Sequence, residues 1–154
     1  MVDTVTGAGE AGAMPDVIAA LLDLWTTGLP ADDDEATAAF ARLYTDPVPV
    51  NGSPLGCREL VARARALHAA FADIGLELVD RLDSEAGVAA TIRQTGRLVG
   101  PLATPLGEVA PTGEAYSVLS IDVLHVGPDG RISAVWVLAD DLGRLVQTGV
   151  LPGA

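Results

Sequence analysis

Apolar residues recur every three or four positions in the first half of the chain, the spacing that one face of a helix requires. This pattern predicts three helices, over residues 14–28, 36–44 and 57–74. In the third helix the apolar side includes Leu60 and Leu67, whereas Arg63 is expected largely off that side. A short extended segment, residues 46–52, precedes this helix and is interrupted by prolines.

From Leu76 onward the period changes to two, which is typical of strands. Strands are predicted over residues 76–82, 87–99, 114–126 and 131–139, followed by a short helix over residues 140–147. The last two strands should form an antiparallel hairpin, and the Pro-rich and Gly-rich segment before them should form a rim or lid. Helices followed by such strands predict an α+β fold: a cone-shaped, curved, mostly antiparallel sheet covered by N-terminal helices, with an interior pocket.

The length of 154 residues fits one domain, predicted over residues 14–152, after a flexible tail over residues 1–13 that is rich in Gly, Ala and Thr. No apolar run approaches the roughly 18 residues of a spanning helix, and the N-terminus does not resemble a secretion signal. A lone cysteine, Cys57, agrees with a cytoplasmic protein.

The composition narrows the possible functions. Nine Arg and 21 Asp and Glu give a net charge of -12, which makes nucleic acid and anionic membranes poor partners. The absence of Lys excludes a side-chain Schiff base, and two His with one Cys are too few for an ordinary structural zinc site. The acidic run at residues 32–35 suits a helix N-terminus better than a metal site. Aromatic residues are only 4%, so small side chains fill the core and leave room for a cavity.

Several motifs resemble a known family. The last part of the chain resembles the C-terminal hairpin of SnoaL-like polyketide cyclases. The residues that carry the resemblance are Gly113-Glu-Ala-Tyr116, Ser120-Ile-Asp122, Asp129-Gly130-Arg131-Ile132, Trp136 and Asp140-Asp141-Leu142-Gly143. Pro111-Thr112-Gly113 matches a turn of that family, and the likeness extends from about residue 44 to residue 149. The family lies in the nuclear transport factor two-like superfamily, with limonene epoxide hydrolases and ketosteroid isomerases. The resemblance implies a cone with an apolar pocket, usually dimeric through the outer face of the sheet, without implying one reaction.

Alternation places Val118, Ser120, Asp122 and Leu124 on one face of the hairpin strand, although periodicity alone does not say which face is inward. Similarity to the epoxide hydrolases places the Asp122 face inward and matches Asn51 to a pocket Asn. The same similarity adds further residues of neighbouring strands to the pocket: Arg93, Thr95, Arg97, Val135, Val137 and Ala139. Trp25 of the first helix is included as a packing anchor.

The chain departs from its relatives at the expected acid. SnoaL-like enzymes often carry His-Trp-Asp in the last strand, where this chain has Val135-Trp136-Val137. Of the epoxide hydrolase pattern, only Arg93 and Asn51 are retained. Asp122 is therefore the best candidate for proton transfer, because an apolar site raises the pKa of a carboxyl group. The alternative is a structural Asp122, either paired with Arg93 or hydrogen-bonded to backbone.

Other polar residues receive structural interpretations. His125 falls on the face opposite Asp122 and is expected at the surface or an interface, and His68 is expected in the core or pocket wall. Cys57 is expected as a capping or buried small residue. Tyr44 and Tyr116 are either hydrogen-bond donors at the pocket rim or ordinary packing residues.

The leading hypothesis is a cofactor-independent cyclase or isomerase that acts by proton transfer on a small, apolar, polyketide-like carbonyl compound. Asp122 would move the proton, and Arg93 and Asn51 would stabilise negative charge on the carbonyl oxygen. The alternatives are a non-catalytic ligand-binding or assembly module and an epoxide-opening cyclase or hydrolase. A homodimer is expected, because an apolar outer face would otherwise be exposed at Leu119, Ile121, Val123, Trp136 and Leu138.

Overall fold

The computed structural model describes residues 16–153 and shows the predicted α+β architecture. Its helices are α1 (Val17–Thr26), α2 (Asp33–Leu43), α3 (Cys57–Ala70) and α4 (Asp141–Gln147). Its strands are β1 (Val48–Val50), β2 (Ser53–Leu55), β3 (Phe71–Ser84), β4 (Gly87–Leu98), β5 (Leu102–Thr104), β6 (Gly107–Val109), β7 (Ala115–Val126) and β8 (Ile132–Ala139). The predicted tail, residues 1–13, and the predicted start at Met14 lie outside the described residues.

Acidic residues begin three of the helices, as capping residues that accept hydrogen bonds from otherwise unpaired backbone N–H groups. The Asp16 carboxylate accepts from the backbone N–H of Ile18 at 3.0 Å at the start of α1. The Asp32 carboxylate accepts from two backbone N–H groups of α2, at 2.9 Å each. Asp140 does the same for Gly143 in α4, at 2.8 Å. In the acidic run at residues 32–35, Asp32 is therefore the cap of α2, and the other three residues lie in its first turn, where the helix dipole favours negative charge.

The third helix is shorter than predicted. It ends at Ala70 rather than Ile74, and Phe71 is already extended and pairs with Leu98 of β4. The apolar residues of this segment fit a helical period and a strand period equally, and pairing with β4 decides between them. β3 is bent near its start, where Asp73 has a φ of 54° and the register shifts between Ala72 and Gly75.

The main sheet has the order β2-β1-β8-β7-β4-β3 and is antiparallel except between β1 and β8. β7 and β8 form the predicted hairpin. Helices α1 to α3 cover one face of the sheet, and the core between them includes Ile18, Phe40, Leu60, Ile92 and Leu124. None of the helices within residues 16–153 combines the length and the apolar character that crossing a bilayer requires.

The segment predicted to form a rim or lid contains a small separate hairpin, β5–β6, which Pro101 and Pro111 flank and whose turn contains Pro105. Leu102 of this hairpin packs against a second, smaller core cluster that contains Phe71, Leu98 and Tyr116. The hairpin contributes no residue to the main pocket described below, so its interpretation as a rim or lid of that pocket is wrong. The main pocket lies where the covered face of the sheet packs against α1 and α3.

Candidate active site

β7 separates two environments with strict alternation. Ser120, Asp122 and Leu124 are buried against the helices, and the residues between them are exposed on the outer face. Asp122 lies opposite Ala90 of β4 and Val137 of β8. Since cross-strand partners share a face of the sheet, the positions that pair with Asp122 also face inward. Asp122 therefore occupies the inner face, at the middle of the sheet.

A cavity of about 210 Å³ lies between this face and the helices. Its wall is predominantly apolar, and the described residues contribute two charged side chains to it, Asp122 and Arg63. Eight structural segments contribute to the wall: α1, the end of α2, α3, β1, β3, β4, β7 and β8. The lining residues are Leu21, Trp25, Tyr44, Val50, Leu60, Arg63, Leu67, Leu76, Ile92, Asp122, Val135 and Val137.

Asp122 is a buried carboxyl group with one close polar partner. The residue is 9% exposed, and the Ser120 hydroxyl donates a hydrogen bond to its Oδ1 at 3.0 Å. Burial raises the pKa of Asp122 because it penalises the charged form, and the hydrogen bond from Ser120 only partly opposes this effect. No Arg within residues 16–153 forms an ion pair with Asp122, so the expected alternative of an Asp122–Arg93 pair is wrong.

Arg93, Thr95 and Arg97 lie on the outer face of the sheet, contrary to the prediction. Their partners in β7 are Leu119, Ser117 and Ala115, which are the exposed members of that strand. The Arg93 guanidinium instead approaches Glu77 at 3.8 Å, and Arg97 pairs with Asp73 at 3.2 Å. Alternation within β4 is visible in sequence, but its register against β7 is not, and this register decides which set faces inward.

Asn51 also has a different place from the one predicted. It lies in the turn between β1 and β2, with a φ of 50°, and its neighbour Val50 lines the cavity. The Asn51 amide nitrogen donates to the backbone carbonyl of Val137 at 3.0 Å, and its amide oxygen accepts from the Val137 N–H at 2.8 Å. Both ends of the side chain thus extend the pairing of β1 with β8, and neither is directed to a ligand.

Tyr44 and Trp25 form a hydrogen-bonded pair in the wall. The Trp25 indole N–H donates to the Tyr44 hydroxyl at 2.9 Å, and Tyr44 is 3% exposed. Phe40 packs against both rings. Burial raises the pKa of Tyr44 strongly, with a smaller contribution from the charge of Asp122, so its hydroxyl stays protonated. His68 holds the end of α1 in place, with its Nε2 at 3.0 Å from the Trp25 carbonyl oxygen.

The other predicted residues divide between the cavity and the solid core. Val135, Val137 and Trp25 line the cavity. Ser120 does not line the cavity itself, but its hydroxyl donates a hydrogen bond to Asp122, which does. Ala139 lies opposite Ser120 on the inner face and does not line the cavity either. Val118 and Leu124 are also inward but are packed in the core clusters.

Three further polar residues can be placed. Tyr116 is not at the cavity rim, because it packs against Phe71 and below the Arg144 guanidinium, 4.9 Å from its ring centre. His125 is exposed on the outer face. Cys57 is buried in the first turn of α3, and burial raises the pKa of its thiol. Within the described ranges, no group of three or more His, Cys, Asp or Glu is placed to hold a metal ion.

Arg63 belongs to the cavity wall, contrary to the expectation that it lies off the apolar side of the third helix. It lies three residues after Leu60 and four before Leu67, and all three residues line the cavity. This spacing places them on one helix face, so the signal was present in the sequence. The charge of Arg63 led to its assignment away from the apolar side.

The protein has an α+β fold in which helices cover one face of a curved sheet and enclose an apolar cavity. This architecture is that of small pocket proteins with the nuclear transport factor two-like fold. The SnoaL-like polyketide cyclase family matches residues 16–148. The chain belongs to this family. No curated protein matches the sequence significantly.

Solved structures show the same fold. The chain is similar to TsrD from Streptomyces laurentii, with a TM-score of 0.70 and 21% identity over 88% of this chain and 93% of that one. A SnoaL-like polyketide cyclase from Agrobacterium tumefaciens gives 0.67 and 17%, over 86% and 94%. A protein with a ketosteroid isomerase-like fold from Catenulispora acidiphila, in complex with trimethylamine, gives 0.64 and 13%, over 89% and 95%. At these identities the likeness establishes the fold alone.

Proposed function

We propose that this protein is a cyclase or isomerase that moves a proton on a small, largely apolar, polyketide-like carbonyl compound, with Asp122 as the acid–base residue. One observation carries the proposal: a buried carboxyl group with a raised pKa lies in the wall of an apolar cavity. Such a group can accept a proton near neutral pH more readily than an ordinary carboxylate. Family membership supports a cyclase or isomerase type of chemistry.

The proposed step begins with ionised Asp122. Its carboxylate removes a proton from the carbon next to the substrate carbonyl. The electron pair of that C–H bond forms a C=C bond, and the π pair of the carbonyl moves onto its oxygen to give an enolate. In an isomerisation, protonated Asp122 returns the proton to another carbon. In an aldol cyclisation, the enolate carbon forms a bond to a second carbonyl, whose oxygen takes up the proton. Neither route changes the oxidation level, and neither needs a cofactor.

Tyr44 is the candidate for stabilising the enolate oxygen, in place of Arg93 and Asn51. Tyr44 lines the cavity, its hydroxyl accepts a hydrogen bond from the Trp25 N–H, and the hydroxyl proton has no acceptor within residues 16–153. A hydroxyl that accepts one hydrogen bond becomes a better donor of another. A donor directed at a developing negative charge lowers the barrier to its formation.

The experiment measures the first step directly. Wild-type protein is incubated with tetralone in deuterium oxide, and NMR follows the loss of the protons next to the carbonyl. Asp122→Asn is expected to reduce the catalysed exchange by about 10²-fold or more. Asp80→Asn removes the same charge from an exposed position on β3 and should leave the rate unchanged. Catalysed exchange that survives in Asp122→Asn would remove the proposed role of Asp122.

A second candidate function is a non-catalytic ligand-binding module. Its specific support is Val137, which occupies the place of the usual family acid and lies directly opposite Asp122. This function predicts binding of tetralone without any deuterium exchange, so the same experiment separates the two candidates. The epoxide-opening alternative uses Asp122 in place of the missing carboxylates. It stays a prediction, because Asp122 lines the cavity although Arg93 and Asn51 lie outside it.

The proposed assembly is a homodimer through the outer face of the sheet. Five large apolar residues of β7 and β8 are 36% to 80% exposed there: Leu119, Ile121, Val123, Trp136 and Leu138. A contiguous apolar surface of this kind on a small domain favours burial against a second surface. A second copy offers the same apolar face, and two-fold symmetry pairs like with like.

A further inference from the structure

Arg63 is the only cationic side chain among the lining residues of the cavity. It is exposed, whereas Leu60 on the same helix face is buried in the core, so Arg63 stands where the cavity wall meets solvent. A cation beside apolar walls attracts an anion more strongly than one on an open surface, because the field is less screened by water. The cavity therefore has an apolar, buried part that contains Asp122 and an outer edge where Arg63 contributes a positive charge.

Arg63 differs from most arginines of the chain in having no acidic partner among the residues that the structure describes. Seven of the nine form ion pairs: Arg58, Arg65, Arg81, Arg93, Arg97, Arg131 and Arg144. Within residues 16–153 only Arg42 and Arg63 have none, although the chain carries 21 acidic residues. Arg42 lies on α2 and does not line the cavity. The guanidinium of Arg63 is thus available to a ligand.

We propose that Arg63 binds an acidic oxygen of the ligand, a carboxylate or an ionised phenol, which remains outside while the apolar part of the ligand fills the cavity. This inference rests on the proposed function, and it narrows the substrate class to amphiphilic carbonyl compounds with one anionic end. A cavity of about 210 Å³ accepts a body somewhat larger than benzene, which fits an apolar cavity of about 150 Å³. The guanidinium fork suits a carboxylate, which accepts two parallel hydrogen bonds from it.

The test compares two ligands of nearly the same shape, cyclohexylacetate and its neutral amide, cyclohexylacetamide, by titration calorimetry at neutral pH. Wild-type protein should bind the carboxylate about fivefold or more tightly than the amide. Arg63→Gln should abolish this preference while changing the affinity for the amide by less than about twofold. Arg63→Lys keeps the charge and should retain part of the preference.

Arg42→Gln is the matched control, because it removes the same charge from the other arginine without an ion pair in the described part of the chain. It should leave the preference for the carboxylate unchanged. A preference that persists in Arg63→Gln, that disappears equally in Arg42→Gln, or that is absent from wild type overturns the proposal. Failure of both ligands to bind also overturns it. Deuterium exchange that depends on Asp122 would stand in each of these cases, so the two proposals fail separately.

Discussion

Val137 is the direct cross-strand partner of Asp122, and both residues face the cavity. By its resemblance to SnoaL-like enzymes, Val137 stands where they often carry an acid. It lies beside Asp122, the one carboxyl group among the described residues that line the cavity. Two carboxyl groups in such an arrangement would share one proton, because like charges in an apolar site oppose each other. With a valine in that place, Asp122 titrates without an acidic neighbour on β8.

Val137→Asp should destabilise the protein in a pH-dependent way. At pH 7 a second buried carboxylate beside Asp122 should lower Tm by roughly 5–10 °C, the result of about 2–3 kcal/mol of desolvation and repulsion. Near pH 4 the loss should be smaller, because the two groups then hold a proton between them. Val137→Asn is the control for polarity without charge. An equal loss at both pH values would contradict the prediction.

Asp122→Asn should stabilise the protein at neutral pH although it removes the proposed catalytic group. The folded-state pKa of Asp122 is raised above 3.8, so the folded state binds this proton more tightly than the unfolded chain. The free energy of unfolding of wild type therefore falls as pH rises from that value through the raised pKa, and Asn does not titrate. The Tm advantage of Asp122→Asn should be absent below pH 3.8 and reach about 2–4 °C at pH 7.

Thermal scans of wild type and Asp122→Asn across this range check the sign. Asp80→Asn provides the comparison for an exposed carboxylate on β3. An advantage of Asp122→Asn that grows toward acid pH would mean that the folded state favours the ionised form, contrary to the expected effect of burial.

Tyr44→Phe should slow the chemical step more than it weakens binding. The ring and its packing against Phe40 remain, and only the hydroxyl is lost. The catalysed exchange rate should fall by about tenfold to 10³-fold with little change in KM, because the donor acts on charge that develops in the transition state. Tyr116→Phe, outside the cavity, is the control. A rise in KM at unchanged kcat would assign Tyr44 to ligand binding instead.

Asn51 should prove structural. Asn51→Ala removes two hydrogen bonds to Val137, and alanine tolerates a φ of 50° less well than asparagine does. The free energy of unfolding, measured by urea denaturation, should therefore fall by about 2–3 kcal/mol. Asn51→Gly loses the hydrogen bonds but adopts this φ readily, and should cost less. Reduced exchange activity with unchanged stability would restore the catalytic role first predicted for Asn51.

Leu138→Glu should separate the proposed homodimer. Leu138 is 80% exposed on the apolar outer face, opposite Ile121, and a charge there would have to be buried between two copies. Sedimentation at micromolar concentration should show a dimer for wild type and a monomer for the variant. Leu142→Glu, on α4 and also exposed, should remain dimeric. A monomeric wild type would contradict the assembly.

The order of the four helices and of the four long strands could be predicted from the sequence because each of these elements keeps its own period, whereas the short strands β2, β5 and β6 were not predicted. The alternation of β7 separated Asp122 from His125 correctly, and the long helix was misjudged only at its end, where residues 71–74 fit both periods. These features depend on neighbours along the chain, which a single sequence displays.

The composition of the site was harder to predict because it depends on pairings between distant segments. The register of β4 against β7 turned Arg93 outward, and the bonds from Asn51 to Val137 join residues 86 positions apart. No local pattern encodes either relation. Arg63 was a different kind of omission, since its spacing from Leu60 and Leu67 was visible and its charge was given too much weight.

The cavity wall draws on eight segments between α1 and β8, so it exists only when the three long helices and the main sheet have packed together. Until then Asp122 is an ordinary solvated carboxyl group, even if β7 and β8 have already paired. The protonation of this one side chain therefore reports completion of the tertiary structure rather than the formation of helices or strands. Infrared or NMR spectroscopy of the Asp122 carboxyl group during refolding would therefore measure when this side chain becomes buried in the assembled cavity.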